Sequence, residues 1–291
     1  MADAPLIIGV APNGARLSRH DHPQLPLTPA ELAACAADVA REGATLLHLH
    51  VRDAAGGHTL DVGRYREALA AIREATADRL ILQVTSESCG RYTAAEQRAM
   101  VETLEPEAVS LALRELCPDA DAEPEAGAFF RALASAGTMA QYIVYSPDEL
   151  ARFERLRQRG FFGTEHPFVL LVLGRHGVPD APGATGASGT AGADELAAYL
   201  SRESLVAFPW AVCAFGGGEL SLVTEAARQG GHARIGFENN RLLADGTVAR
   251  DNAALVRQLA AALPAVGRRP ATTAEARSIM AAVGLPSSPP T

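Results

Sequence analysis

The sequence predicts a (β/α)8 barrel. Two observations lead to this prediction: eight short apolar segments recur along the 291 residues, and amphipathic helical patterns lie between them. Several of these segments contain no polar residue, which is typical of parallel strands covered on both faces. A doubly wound open sheet is the alternative. Because no Gly-x-Gly-x-x-Gly follows the first segment, a dinucleotide-binding version of that sheet is disfavoured.

The strands and helices can be placed in order along the chain. The eight predicted strands are Leu6–Ala11, Thr45–His50, Leu80–Thr85, Ala108–Ala112, Thr138–Tyr145, Phe168–Leu173, Leu205–Val212 and His232–Phe237. A hydroxyl residue followed three positions later by Glu signals a helix start at Thr28, Thr93, Ser146 and Thr272. Further helices are predicted near 62–77, 125–136, 192–202, 218–229 and 250–263.

The domain organisation is predicted to be simple. No internal repeat or linker divides the chain, so we expect one catalytic domain over residues 1–285. Gly174–Gly192, rich in Gly, Ala, Pro and Thr, is predicted to be a long loop on the active face of the barrel. The last residues, Pro286–Thr291, are expected to be a disordered tail.

Composition excludes several kinds of partner. The net charge of −8 disfavours nucleic acid and anionic membrane surfaces. No apolar run reaches the roughly 18 residues of a membrane span, and no secretory signal opens the chain. The four cysteines lie far apart, without a Cys-x-x-Cys pair. We therefore expect a reduced, cytoplasmic protein without disulfides or a thiolate zinc site.

The basic residues narrow the chemistry further. All 26 are arginine, so the chain contains no lysine. Schiff-base aldolases, pyridoxal-phosphate enzymes and P-loop NTPases all rely on a lysine amine. Carbonyl chemistry in this protein therefore needs another activating group, and a metal ion is the obvious one.

A His-x-His pair ends the second predicted strand. Side chains two apart in a strand point to the same side, so His48 and His50 both face the barrel interior at its C-terminal end. Two adjacent imidazoles can bind Zn²⁺ or a similar ion. Two hydrogen-bonded structural histidines are the alternative. The other histidines have no ligand-like partner in the sequence: His20, His22, His58, His166, His176 and His232.

A third metal ligand is available at the end of the eighth predicted strand. Glu238 follows Arg234 by four residues, so both share one face, and a closed barrel brings this strand near the second. Two histidines and a carboxylate leave positions open for substrate. An ion pair with Arg234 is the alternative role of Glu238. Other strand ends carry polar residues, and the hydroxyls among them could bind a substrate carboxylate. These residues are Asn13, Arg16, Thr85, Ser86, Glu87 and Ser110.

Four segments together resemble the β-keto acid cleavage enzyme family, whose best-known activity is 3-keto-5-aminohexanoate cleavage. They are Ala11–Arg16 (APNGAR), Pro23–Thr28 (PQLPLT), Gly43–Asp53 (GATLLHLHVRD) and Gly230–Asn240 (GGHARIGFENN). Trp210-Ala-Val before a Gly-rich turn also fits the family. The resemblance covers nearly the whole chain.

The resemblance implies a fold, a metal and a reaction. It implies a (β/α)8 barrel holding one divalent metal, usually zinc, on His48, His50 and Glu238. It implies that a β-keto acid and acetyl-CoA give acetoacetate and a new CoA thioester, the metal stabilising the enolate. It also implies a homo-oligomer, a tetramer of barrels. A metal-dependent aldolase or hydrolase, and a catalytically drifted barrel that only binds a keto acid, are the alternatives.

Individual roles follow from matched positions. Arg234 matches a family arginine that assists proton transfer, Thr85 and Ser86 fall in a substrate-binding segment, and Ser110 matches a substrate-contacting threonine. Members with amine-bearing substrates have Glu at the place of Arg16. A guanidinium repels an ammonium and pairs with a carboxylate, so Arg16 predicts an anionic or neutral substrate tail. A loop arginine that pairs with a surface acid is the alternative.

The sequence also departs from the family pattern. Asn239 stands where many members have Asp, and Gln141 and Ile143 stand where members often have Glu. The turn Gly216–Glu219 replaces a larger, partly aromatic motif. Because these changes weaken Asn239 as part of the base, Glu87 on a neighbouring strand end is the candidate replacement. A solvated loop carboxylate is the alternative for Glu87.

Overall fold

Eight parallel strands close into a barrel in the computed structural model, which describes residues 3–174, 192–202, 205 and 207–281. Neighbours along the chain are neighbours in the sheet, and the eighth strand pairs with the first. The strands are β1 (Ile8–Val10), β2 (Leu46–Leu49), β3 (Ile81–Thr85), β4 (Ala108–Ala112), β5 (Met139–Val144), β6 (Phe168–Leu173), β7 (Trp210–Ala214) and β8 (His232–Ile235).

Helices surround this barrel. They are α1 (Pro29–Arg41), α2 (Val62–Thr76), α3 (Ala94–Leu104), α4 (Leu113–Leu116), α5 (Glu123–Ala136), α6 (Pro147–Gln158), α7 (Ala193–Leu200), α8 (Glu219–Arg228), α9 (Asn252–Ala262) and α10 (Thr273–Ala281), with a 3₁₀ helix at Leu263–Val266. The predicted (β/α)8 barrel is therefore confirmed.

The predicted helix starts follow the physics of capping. The Thr28 and Thr93 hydroxyls each accept a hydrogen bond from the backbone N–H three residues on, and the Glu at that position accepts one in return. Thr272 and Glu275 exchange the same two bonds. At Ser146 only half of the pattern forms, because the Glu149 carboxylate accepts from Tyr145 N instead.

Two strand predictions need correction. The first segment is two short strands: Ile8–Val10 joins the barrel, whereas Ala4–Leu6 pairs with Arg268–Pro270 outside it. The seventh strand begins at Trp210 and not at Leu205. The turn bond from Leu205 N to Arg202 O curls the chain before the strand, and Pro209 has no N–H to donate to a ladder.

The barrel interior is apolar at one end and polar at the other. Leu46, Ile81 and Ala108 lie at the first residues of their strands and belong to one buried cluster that fills the N-terminal end. Two residues later on the same strands come His48, Gln83 and Ser110, which share the inward face. The sequence therefore places polar chemistry at the C-terminal ends, the usual location of barrel active sites.

Parts of two predictions concern residues outside the ranges given above. Residues 175–191 of the predicted Gly-rich loop and the tail 286–291 lie outside the described residues. The single domain over 1–285 stays a prediction. Among the helices of the described ranges, none is long and apolar enough to cross a membrane.

Candidate active site

The end of β2 brings two imidazoles to the barrel interior. His48 and His50 are both buried. Asn13, in the loop after β1, holds His50 in place, because its Oδ1 accepts from His50 N and its Nδ2 donates to the His50 carbonyl. Nδ2 also donates to Pro26 O. Asn13 is thus buried, and its amide makes backbone hydrogen bonds that support the site. It does not line the cavity.

A glycine directs Glu238 toward these histidines. Gly236 has φ +127°, and a Cβ there would lie 2.5 Å from Ala11 O, so only glycine fits where β8 turns over the β1 loop. Gly14 leaves room for the Glu238 side chain, since a Cβ at this residue would lie 2.7 Å from Glu238 Cγ. The close approach of these two loops sets the direction of the Glu238 carboxylate.

Three ligand atoms converge at one point. His48 Nε2 lies 3.2 Å from His50 Nε2, and Glu238 Oε2 lies 3.4 Å from His50 Nε2 and 3.6 Å from His48 Nε2. Ligands at 2.0–2.1 Å from a tetrahedral Zn²⁺ are roughly 3.3 Å apart. Glu238 Oε2 is buried and makes no well-formed hydrogen bond to any described residue. The His48, His50 and Glu238 arrangement therefore fits a divalent ion.

The hydrogen bond behind His48 prepares it as a ligand. Its Nδ1 lies 2.9 Å from Gln83 Oε1, an acceptor, so Nδ1 carries the hydrogen and Nε2 keeps its lone pair. Gln83 Nε2 donates in turn to Gln141 Oε1 at 3.3 Å. Burial lowers the pKa of His48 to about 3, so the ring is neutral at physiological pH. A neutral imidazole is the form that binds metal.

Glu238 is held as a carboxylate. Burial alone would raise its pKa, but the Arg234 guanidinium and the two imidazoles hold the pKa well below its usual range. Arg234 Nη2 donates to Glu238 Oε1 at 3.1 Å and also contacts Cys213 Sγ at 3.4 Å. Both proposed roles of Glu238 therefore coexist: Oε1 pairs with Arg234, and Oε2 faces the histidines.

A small cavity opens above this cluster. Its lining includes Thr85, Glu87 and Ser110 from the sequence prediction, together with His48, Arg234 and Glu238. Ile143, which stands where family members often have Glu, also lines the cavity. Sequence reasoning missed the rest of the lining, which is Ala112, Tyr145, Val172 and Phe215. Tyr145 and Phe215 each follow the end of a barrel strand, and that position was the signal available.

Glu87 lies at the edge of this cavity. Its carboxylate forms an ion pair with Arg16 at 2.9 Å and lies 3.9 Å from His50 Nε2. The Thr85 hydroxyl accepts from Glu87 N and fixes the turn. The Glu87 side chain is 12% exposed, so it is not a solvated loop carboxylate.

Like Asn13, the predicted residues Arg16, Ser86 and Asn239 lie outside the cavity lining. Arg16 forms an ion pair with Glu87 of the lining, and the Ser86 hydroxyl donates to Ser110 O. Asn239 is buried in the turn after β8, where its backbone N–H donates to Gly236 O.

One histidine outside the predicted ligand set lies beside the site. His58 has no ligand-like partner in the sequence, yet its Nδ1 lies 3.4 Å from His50 Nδ1 and its Nε2 lies 2.8 Å from Glu87 O. Burial lowers the pKa of His58 to about 4. A short hairpin turns the chain back and brings this ring to the site. The apolar periodicity of the sequence does not reveal such a hairpin.

Fold and site together define a (β/α)8 barrel with a site able to hold a metal at its C-terminal face. Residues 5–281 match the model of the beta-keto acid cleavage enzyme family, and the chain belongs to this family. The resemblance seen in the sequence is thus confirmed.

Curated relatives align over nearly their full length. The 3-keto-5-aminohexanoate cleavage enzyme of Fusobacterium nucleatum subsp. nucleatum is 28% identical over 280 residues, 94% of this chain and 97% of that one. The 3-oxoadipate:acetyl-CoA acetyltransferase of Cupriavidus necator is 30% identical over 291 residues, 97% of this chain and 96% of that one. A solved structure of ObcA with oxaloacetate has a TM-score of 0.69 at 17% identity, covering 90% of this chain and 68% of that one, which supports the fold.

Proposed function

We propose that this protein is a zinc-dependent acyltransferase that converts a β-keto acid and acetyl-CoA into acetoacetate and a new acyl-CoA. The observation that carries the proposal is the meeting of His48, His50 and Glu238 at mutual distances of 3.2–3.6 Å beside a cavity lined by polar and apolar side chains. Membership of the family and the acetyl-CoA named for the Cupriavidus relative support the choice of reaction.

His48, His50 and Glu238 would hold the metal, which acts when bound as a Lewis acid toward the keto and carboxylate oxygens of the substrate. Without lysine, the chain has no amine for Schiff-base activation. Arg234 keeps Glu238 ionised, as its metal-binding role requires. Ser110 Oγ is buried with no hydrogen-bond partner in the described ranges, and it lines the cavity, so its hydroxyl is placed to donate to a substrate oxygen.

Glu87 is the proposed base. It takes a proton from the carbon between the keto and carboxyl groups, and the resulting carbanion attacks the thioester carbonyl of acetyl-CoA, releasing the CoA thiolate. That thiolate attacks the original keto carbon, the old carbon–carbon bond breaks, and the returned proton completes acetoacetate. Asn239, an amide outside the cavity lining, cannot serve as the carboxylate base.

Arg16 is proposed to select an anionic substrate tail. Its guanidinium pairs with Glu87 at the cavity edge, and a substrate carboxylate binding Arg16 would release Glu87 to act as base. The name of the Cupriavidus relative gives 3-oxoadipate, a β-keto dicarboxylate, and this supports such a tail. Transfer of the four-carbon acyl part of 3-oxoadipate to CoA would yield succinyl-CoA.

A substrate comparison tests this selection. Arg16→Glu should lower kcat/KM for 3-oxoadipate by about 10-fold, since an ion pair of a half-exposed side chain contributes roughly 1 kcal/mol and the reversed charge adds repulsion. The same variant should lower kcat/KM much less for 3-oxohexanoate, whose tail is neutral. Arg19→Glu is the matched control, because Arg19 pairs with Glu31 away from the cavity lining. An equal fall for both substrates would remove Arg16 from tail recognition.

The proposal includes a cytoplasmic homotetramer. Family resemblance is its support, and light scattering coupled to size exclusion tests the oligomeric state. A monomeric mass would contradict the tetramer.

A further inference from the structure

His58 lies directly behind His50. After β2, the strand Val51–Arg52 pairs antiparallel with His58–Thr59, and this hairpin returns the chain to the level of His50. The His58 residue is 3% exposed, and its ring centroid lies 5.3 Å from that of His50. Its two ring nitrogens therefore interact with protein groups and not with bulk water.

The partners of His58 define which nitrogen carries its hydrogen. Nε2 lies 2.8 Å from the Glu87 carbonyl oxygen, which can only accept, so Nε2 is the donor. A neutral imidazole has one N–H, so Nδ1 of His58 is left as an acceptor. The atom facing that acceptor, at 3.4 Å, is His50 Nδ1.

We propose that His58 is a positioning residue that fixes His50 in the Nδ1–H tautomer. With its hydrogen on Nδ1, His50 presents the lone pair of Nε2 to the point where His48 Nε2 and Glu238 Oε2 meet. Gln83 does the same for His48. The inference rests on the proposed function, because a metal ligand is what requires that lone pair.

The same ring also steadies the proposed base. The His58 N–H binds the carbonyl of Glu87, and the His58 carbonyl accepts from Arg91 Nη1 at 2.6 Å. His58 thus connects the β2 ligand to the turn after β3. Loss of the ring should loosen both a metal ligand and the Glu87 turn.

Zinc affinity, measured by competition with a chromophoric chelator, tests the inference. His58→Gln keeps a donor for Glu87 O and an acceptor for His50, whereas His58→Leu keeps neither. We expect His58→Leu to weaken zinc binding about 10–100-fold, the usual effect of losing such a partner, and His58→Gln to recover most of it. His232→Leu is the control: this buried histidine accepts from Ile7 N at the opposite end of the barrel, so only stability should fall.

A second measurement is made on the wild-type protein, and a variant serves only to assign its signals. In the metal-free wild-type protein labelled with ¹⁵N-histidine, long-range ¹H–¹⁵N spectra distinguish the two tautomers. We expect Nδ1–H for His50 and Nε2–H for His58, with His58→Gln supplying the assignment. The opposite tautomers would overturn the proposal.

The outcomes separate the two claims. A wild-type protein that binds zinc, with a His58→Leu variant that binds it equally tightly, overturns the role of His58 alone. A wild-type protein that binds neither zinc nor Co²⁺ overturns the proposed metal site and the role of His58 together.

Discussion

Removing Arg234 should expose the cost of an unpaired buried carboxylate. The Arg234 and Glu238 side chains are 5% and 12% exposed, and their ion pair spans 3.1 Å. Breaking such a pair on one side costs roughly 3–5 kcal/mol. Because the imidazoles also favour the Glu238 carboxylate, we expect Arg234→Met to lower the free energy of unfolding by about 3 kcal/mol, the low end of that range.

Urea unfolding of the protein with EDTA, at pH 7.5, measures this loss. In a Glu238→Gln background the Arg234→Met change leaves no unpaired carboxylate and removes a guanidinium that has lost its partner, so it should cost no more than about 1 kcal/mol of lost packing. Adding zinc to the Arg234→Met single variant should restore stability, by about 2.7 kcal/mol at 100 times the dissociation constant. Equal costs of Arg234→Met in the two backgrounds would refute the charge-pair reasoning.

Three further predictions concern stability and local geometry. Gly236→Ala should leave little folded protein in thermal scans, because its φ of +127° and the 2.5 Å approach to Ala11 O leave no space for a Cβ; a wild-type Tm would contradict this. Burial and the nearby Arg268 guanidinium lower the pKa of His232 from 6.5 to about 3. As pH falls from 6.5 towards 3, the imidazole is therefore protonated only in the unfolded chain, and the free energy of unfolding decreases. Between pH 7.5 and 5.5 the wild type should therefore lose about 1.4 kcal/mol more than His232→Leu in urea titrations, and parallel pH profiles would count against it. Thr28→Ala should lower the free energy of unfolding by about 1 kcal/mol because it removes the N-cap of α1. Thr103→Ala is the control and should cost less, since Thr103 is an exposed residue in the last turn of α3 that caps no helix start.

Much of the fold was predictable because buried parallel strands are uninterrupted apolar segments. Phe168–Leu173 and Ala108–Ala112 match their predicted bounds, since both faces of each strand are covered. Strand alternation also predicted that His48 and His50 share a face, and barrel closure brought Glu238 to them. The local apolar pattern and the closure of the barrel were sufficient to predict these features.

Other features depend on contacts that no local pattern encodes. Arg16 and Glu87 are 71 residues apart, and their ion pair forms because the loops after β1 and β3 meet above the barrel. The Asn13 amide is used by the His50 backbone, although its strand-end position suggested substrate binding. His58 reaches His50 only through the hairpin formed by two-residue strands.

Isotope-traced turnover tests the central claim most directly. The purified, zinc-loaded protein is incubated with 3-oxoadipate and acetyl-CoA carrying ¹³C at both acetyl carbons, and the products are read by mass spectrometry. The proposed reaction predicts acetoacetate with two labelled carbons and an unlabelled succinyl-CoA. Labelled acetate with no new thioester would indicate that the protein hydrolyses acetyl-CoA. No product from 3-oxoadipate or 3-oxohexanoate, despite bound zinc, would contradict the proposed acyltransferase activity.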